Sequence, residues 1–181
     1  MSRDLRPKRV DASKTIMTEL VMPNDTNPQD NLMGGNLLRW MDVACAICAG
    51  RHCESSVVTA SVDNVAFSTP IRNGEVITLE ATVTRAFRTS VEVYVEVFAA
   101  SMQGTNPRRS NNAYFTFVAL DRDNGSPIEV PEVLPLLEIE QQRFAAAARR
   151  RELRLILAGR LRVEDADNLR SLFEGLPELK R

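Results

Sequence analysis

The stretch GGNLLRWMDVACAICAG, Gly34 to Gly50, is apolar on nearly every side if it winds as a helix, yet it carries one carboxylate, Asp42, in its middle. Taking an ionised carboxylate out of water costs several kcal/mol unless partners offset it, so an aspartate kept there is a candidate general base or nucleophile. The plainer reading is a carboxylate that pairs with an arginine or faces a wet gap between subunits. Gly34 and Gly35 open the helix. As a turn into the helix they need no other role. Taken with Asp42 they suggest more, because glycine lets a ligand approach unpaired N–H groups at the positive end of the helix dipole. A carbonyl oxygen gaining negative charge would be stabilised there, and losing one such donor typically costs ~10²–10³ in rate. Asp42 lies two turns further in, about 10 Å along the axis. A carbonyl at the tip therefore needs an aspartate supplied from elsewhere along the ligand path, or an acyl group running beside the helix.

The other reactive residue types point to structure rather than chemistry. Cys45 and Cys48 form a C-x-x-C, but reactive pairs sit at helix N-termini where the thiolate is stabilised, and this one is interior. Small buried hydrophobes are the better reading. A zinc site using His52 or Cys53 lacks a second spaced pair, so neither a metal nor another cofactor is expected. His52, the single histidine, falls with Arg51 where cations favour a helix C-terminus. The basic run Arg149, Arg150 and Arg151 with Arg154, Arg160 and Arg162 reads as a solvated helix face, with phosphate recognition the second option.

These residues must be positioned by the elements around them. KTIMTELVM, Lys14 to Met22, reads as a strand, followed by a loop rich in Pro, Asn and Asp and then by the helix. Four stretches of period-two alternation follow, from Ser55, Glu75, Ser90 and Asn111, joined by short turns. In the third, Val91, Val93, Val95 and Val97 face one way and Glu92, Tyr94, Glu96 and Phe98 the other, which predicts a half-buried antiparallel strand. One helix without a polar stripe among five strands must be covered on most of its circumference, so the fold class is α+β with a curved antiparallel sheet wrapped round a central helix. Such a sheet leaves an edge, and pairing with a second copy is the usual remedy, so a homodimer is expected. From Leu136 the composition turns Ala-, Glu- and Arg-rich and reads as helix, broken at Gly159, with a second helical piece from Val163 to Leu176. A division into a domain over 10–131 and a helical extension over 132–181 follows.

Composition narrows the function classes. The chain has 181 residues, 44% hydrophobic and 26% charged, with a net charge of -1, which suits one globular domain with an appendage. That charge and the lack of interleaved aromatics argue against nucleic acid. No apolar run follows the basic residues Arg3, Arg6, Lys8 and Arg9, and no stretch approaches the ~20 residues a bilayer span needs. Three cysteines crowded near one helix suit reduced thiols. A cytoplasmic protein without a membrane partner is expected.

The segment MPNDTNPQDNLMGGNLLRWMDVACAICAGRHC, followed by VVTASVDNVAF, RTSVEVYVEVF and AYFTFVALD, resembles the hotdog-fold acyl-CoA thioesterases, in the cytosolic acyl-CoA hydrolase branch. The resemblance spans Lys14 to Pro135. It implies hydrolysis of fatty acyl-CoA to free acid and CoA in hotdog dimers that assemble into hexamers, as trimers of dimers. It also implies an active site across the dimer interface, with Asn27 from one protomer and Asp42 from the other. Gly34 and Gly35 would then supply the backbone donors, and Arg88, Thr89 and Ser90 lie in the hairpin that resembles the family's nucleotide-contacting turn. Family members usually have glycine where this chain has Asp30, a difference that bears on CoA binding or pH optimum rather than on reaction class. A hotdog dehydratase would need a histidine near the helix entrance, and NDTNPQDNLMGG has none. A non-catalytic acyl-CoA sensor is the remaining alternative, and it would need neither Asn27 nor Asp42.

Overall fold

The computed structural model describes residues 4–172, which divide into two compact units with the boundary between Leu134 and Pro135. The first unit contains strands β1 (Lys8–Arg9) and β2 (Thr15–Leu20), helix α1 (Gly34–Cys53), and strands β3 (Ser56–Phe67), β4 (Val76–Ala86), β5 (Ser90–Ala100), β6 (Arg108–Leu120) and β7 (Val133–Leu134). The long strands lie in the order β2-β4-β5-β6-β3, each neighbouring pair antiparallel, and β1 pairs with β7 in parallel. Helix α1 touches all five long strands, so the sheet curls round it as the alternation and the single apolar helix predict.

The central strand departs from expectation. Its valines are fully buried, but Glu92 and Tyr94 on the opposite face are buried as well, at 0% and 4% exposure. The Glu92 carboxylate accepts a hydrogen bond from Thr84 Oγ1 at 2.6 Å, and the Tyr94 hydroxyl accepts one from Arg109 at 2.7 Å. Alternation separates two faces of a strand; it does not say whether the second face meets water, and a strand flanked by β4 and β6 is shielded at both edges.

Helix α1 differs from expectation in a second way. Leu37, Trp40, Met41, Ala44, Cys45 and Cys48 are buried, but Gly35, Arg39, Val43 and Ile47, spaced by four, form an exposed stripe. The chain's own sheet covers only part of the circumference. Strand β3, at the sheet edge, also exposes Val58 and Val62.

The C-terminus of α1 corrects the assignment of His52. The ring is fully buried, its Nε2–H donates to Pro131 O at 2.9 Å, and burial pushes its pKa below the ordinary histidine value, so it is neutral. The cation at the helix end is instead Lys8, whose Nζ donates to His52 O at 2.8 Å and to Glu54 at 2.6 Å. Burial also raises the Cys45 thiol and pushes Cys48 up to about 12, which leaves both as inert packing groups.

The second unit contains α2 (Glu138–Leu157) and α3 (Asp167–Arg170). The Glu140 carboxylate caps α2 by accepting the N–H groups of Leu136 and Leu137 at 2.7 and 3.0 Å. Gly159, at φ 66°, follows its end. The helix expected from Val163 does not begin there: a 3-10 turn at Val163–Asp165 precedes the single turn of α3, whose Leu169 N–H binds Glu152 at 2.7 Å. Phe173 and Leu176 lie outside the described residues. Among the described residues no helix is long and apolar enough to cross a membrane.

Candidate active site

The loop between β2 and α1 builds one side of the site. Asn27 Oδ1 accepts the N–H groups of Gln29 and Asn31 at 3.0 and 3.2 Å, closing an Asx-type turn. With the oxygen engaged twice, the amide orientation is set and the Asn27 NH2 hydrogens meet no acceptor among the described residues. The turn reverses at Asp30, whose φ of 59° lies in the left-handed region. Glycine enters that region without a Cβ penalty, so the backbone at this position favours a glycine over the aspartate this chain carries.

A second loop clamps the first. Leu32 N–H donates to Ile71 O at 2.7 Å, and Asn73 N–H to Asp30 O at 3.1 Å. That second loop is pinned by Glu75, which accepts Arg72 N–H at 2.7 Å and both guanidinium nitrogens of Arg108 at 2.6 and 2.8 Å. The bidentate arginine holds the Glu75 carboxyl below the usual carboxylate range.

Helix α1 then begins without a cap. Met33 stands at the N-cap, makes no side-chain cap bond, and sends its own N–H to Asp25 O at 2.9 Å. The N–H groups of Gly34, Gly35 and Asn36 meet no acceptor among the described residues. Uncapped donors at a helix start carry the positive end of the dipole and suit a carbonyl oxygen or an anion. A Cβ on Gly35 would meet nothing within 4 Å, so the space beside Gly35 is open, whereas one on Gly34 would stand 3.3 Å from the Phe67 ring. Asn27 and Gly34 line one cavity of about 420 Å³, with Leu32, Leu37, Phe67 and Ile71 among its apolar walls.

Asp42 is not part of that lining. It is half-buried at the margin of the exposed stripe of α1, and Thr59 Oγ1 on β3 donates to its Oδ1 at 2.7 Å. Its other oxygen has no partner among the described residues. The expected deep burial of this carboxylate is therefore incomplete within one chain. Thr59 went unrecognised in the sequence because nothing local distinguishes it from the other exposed residues of an edge strand.

Arg88 is exposed at the β4–β5 turn and lines a different surface cavity of about 400 Å³, together with Arg85, Glu129 and Glu132. The backbone carbonyls of Arg88 and Thr89 accept from Val130 and Ala119 at 3.2 and 3.0 Å, and Ser90 O accepts from Phe87 at 2.7 Å. Among the described residues no group of three or more metal-ligating side chains gathers.

Residues 29–105 match the model of the thioesterase superfamily. The Bacillus subtilis protein named uncharacterized acyl-CoA thioester hydrolase YkhA is 40% identical over 128 residues, covering 71% of this chain and 74% of that one. The chain belongs to the hotdog acyl-CoA thioesterase family. It is an enzyme of the hydrolase class. The acyl-CoA hydrolase of Staphylococcus aureus, solved with butyryl coenzyme A, coenzyme A and coenzyme A disulfide, superposes on this thioesterase with a TM-score of 0.78 at 33% identity, covering 91% of this chain and 98% of that one. Further structures of that protein carry alanine in place of an aspartate, a threonine and an asparagine, whose spacings along the chain equal those of Asp42, Thr59 and Asn27 here. An apo-hexameric acyl-CoA thioesterase gives a TM-score of 0.81 at 37% identity, covering 84% of this chain and 97% of that one.

Proposed function

We propose that this chain hydrolyses fatty acyl-CoA to free fatty acid and CoA at a site completed by a second copy of itself. One observation carries the reading: the Asn27 amide and the bare start of α1 share a cavity, whereas Asp42 lies outside it, about 10 Å along the helix axis. The stripe through Val43 and Ile47 and the open edge of β3 are where a second copy would dock, pairing edge with edge and bringing the Asp42 of one protomer to the Asn27 of the other. The hexameric relative supports assembly beyond a dimer; a trimer of such dimers is the arrangement proposed here.

In this reading the thioester carbonyl oxygen accepts from the N–H groups of Gly34 and Gly35, which stabilise the charge it gains. Asn27 donates to the thioester or orients the attacking water. Asp42 takes the proton of that water as its oxygen bonds to the carbonyl carbon; the C–S bond then breaks, and the CoA thiolate leaves and is protonated. Thr59, bonded to Oδ1, leaves the other Asp42 oxygen for the water. The three alanine variants made in the Staphylococcus aureus protein support this set of residues. Attack by Asp42 itself, forming an anhydride, is the variant mechanism. Arg88, with Thr89 and Ser90, is assigned to the CoA phosphates, and the three buried free thiols suit a cytosolic setting.

The test is release of free thiol from a series of acyl-CoA chain lengths. Positioned general-base catalysis is worth ~10²–10⁴-fold, so Asp42→Asn lowers kcat by at least about a hundredfold while size and folding stay unchanged. Equal thiol release by both proteins would remove Asp42 from the mechanism. Tight acyl-CoA binding without release in either would identify a sensor instead.

A further inference from the structure

We infer that Phe67 is a gate that selects acyl chain length, an inference that rests on the reading of the helix start as the thioester site. Phe67 is the last residue of β3 and is 58% exposed, although it is a large apolar side chain. The tip of its ring lies over Gly34: a Cβ built there would stand 3.3 Å from Phe67 Cζ. The ring thus lies against the first residue of α1, where the proposed mechanism binds the thioester carbonyl, and lines the cavity together with Leu32, Leu37 and Ile71. A chain that occupies the cavity beside Gly34 would therefore meet the ring.

The base of the ring is held firmly. Phe67 pairs with Asn111 in the β3–β6 ladder. The next residue, Ser68, donates its N–H to Asn111 Oδ1 at 3.1 Å, and Asn111 Nδ2 donates to Ser110 Oγ at 2.8 Å. Ser110 Oγ in turn donates to Thr69 O at 2.8 Å. Ser110 and Asn111 are each 2% exposed, so this clamp is built into the wall and is not a surface accident. In the single chain a fixed root and an exposed tip leave the side chain rotation about its χ angles, which exposed side chains complete in picoseconds to nanoseconds. The ring therefore sets how much of the cavity a chain can use without disturbing the donors beneath it.

Two substitutions test the gate in opposite directions. Phe67→Ala opens the wall and Phe67→Trp narrows it. One methylene in an apolar pocket changes discrimination by about tenfold or more. In Phe67→Ala the ratio of kcat/KM for dodecanoyl-CoA over butanoyl-CoA therefore rises at least about tenfold, and in Phe67→Trp it falls. The same ratio is read as binding affinity by calorimetry in the Asp42→Asn background, where turnover is suppressed. A wild-type ratio in both variants, or a shift of the same sign in both, overturns the gate. If no protein releases thiol but the affinity ratios move as stated, the hydrolase reading has failed and the gate stands. If thiol is released with unmoved ratios, the gate has failed and the hydrolase reading stands.

Discussion

Replacing Asn27 by aspartate separates the two jobs its side chain is given. The oxygen holds the loop by accepting two backbone N–H groups at 3.0 and 3.2 Å, while the proposed mechanism gives the NH2 group to substrate. Asn27→Ala loses both loop bonds, at about 0.5–1.5 kcal/mol each, so about 1–3 kcal/mol of stability disappears. Asn27→Asp keeps an acceptor in the same place, and a negative charge near an uncapped helix start contributes about 0.3–1 kcal/mol. The aspartate variant should therefore unfold in urea at or above the wild-type midpoint, and the alanine variant below it. Activity follows the other atom. Neither variant has the amide donor, and removal of one such donor costs ~10²–10³ in kcat. Both should thus lose kcat to a similar degree in the thiol-release assay, although only one loses stability. Wild-type kcat in Asn27→Asp together with a loss in Asn27→Ala would refute the reasoning, because the loop's shape, and not the amide, would then be the active ingredient.

Asp30→Gly relieves a left-handed residue at φ 59° and should raise stability by about 0.5–1 kcal/mol, read as a higher urea midpoint at constant slope. The buried neutral His52 has a folded pKa below its unfolded value of 6.5. The unfolded chain therefore binds a proton first as pH falls, so the stability that the neutral ring contributes is complete above about pH 6.5 and is lost below it, at up to about 1.4 kcal/mol per pH unit until the folded pKa is reached. Urea midpoints measured across this window should show the slope in the wild type and not in His52→Gln; an equal slope in both would assign it to another group.

How far the sequence could be read depended on whether the signal was local. The valines of β5 announced a strand because side chains alternate with period two, and they are buried as that pattern requires. The burial of Glu92 on the other face was invisible, since it depends on strands that pair with β5 from either side. Gly34, Gly35 and Asp42 could be singled out because glycine and a carboxylate are anomalous within an apolar helix. Thr59 could not, because an exposed threonine on a strand is ordinary until its hydroxyl is found 2.7 Å from Asp42. The same holds for His52, whose position beside Arg51 suggested a cation and whose burial makes it neutral.

The sequence by itself determined the succession of strands and helix, the reactive residue types, and the family to which they belong, because periodicity, turn chemistry and motif spacing are carried by neighbours along the chain. The tertiary structure alone decided which atom of Asn27 is free, that Asp42 lies outside the cavity holding Asn27, that one stripe of α1 stays uncovered, and that Phe67 stands over Gly34. Those are relations between residues far apart in the chain, set by register and packing across the sheet, and no local preference encodes them.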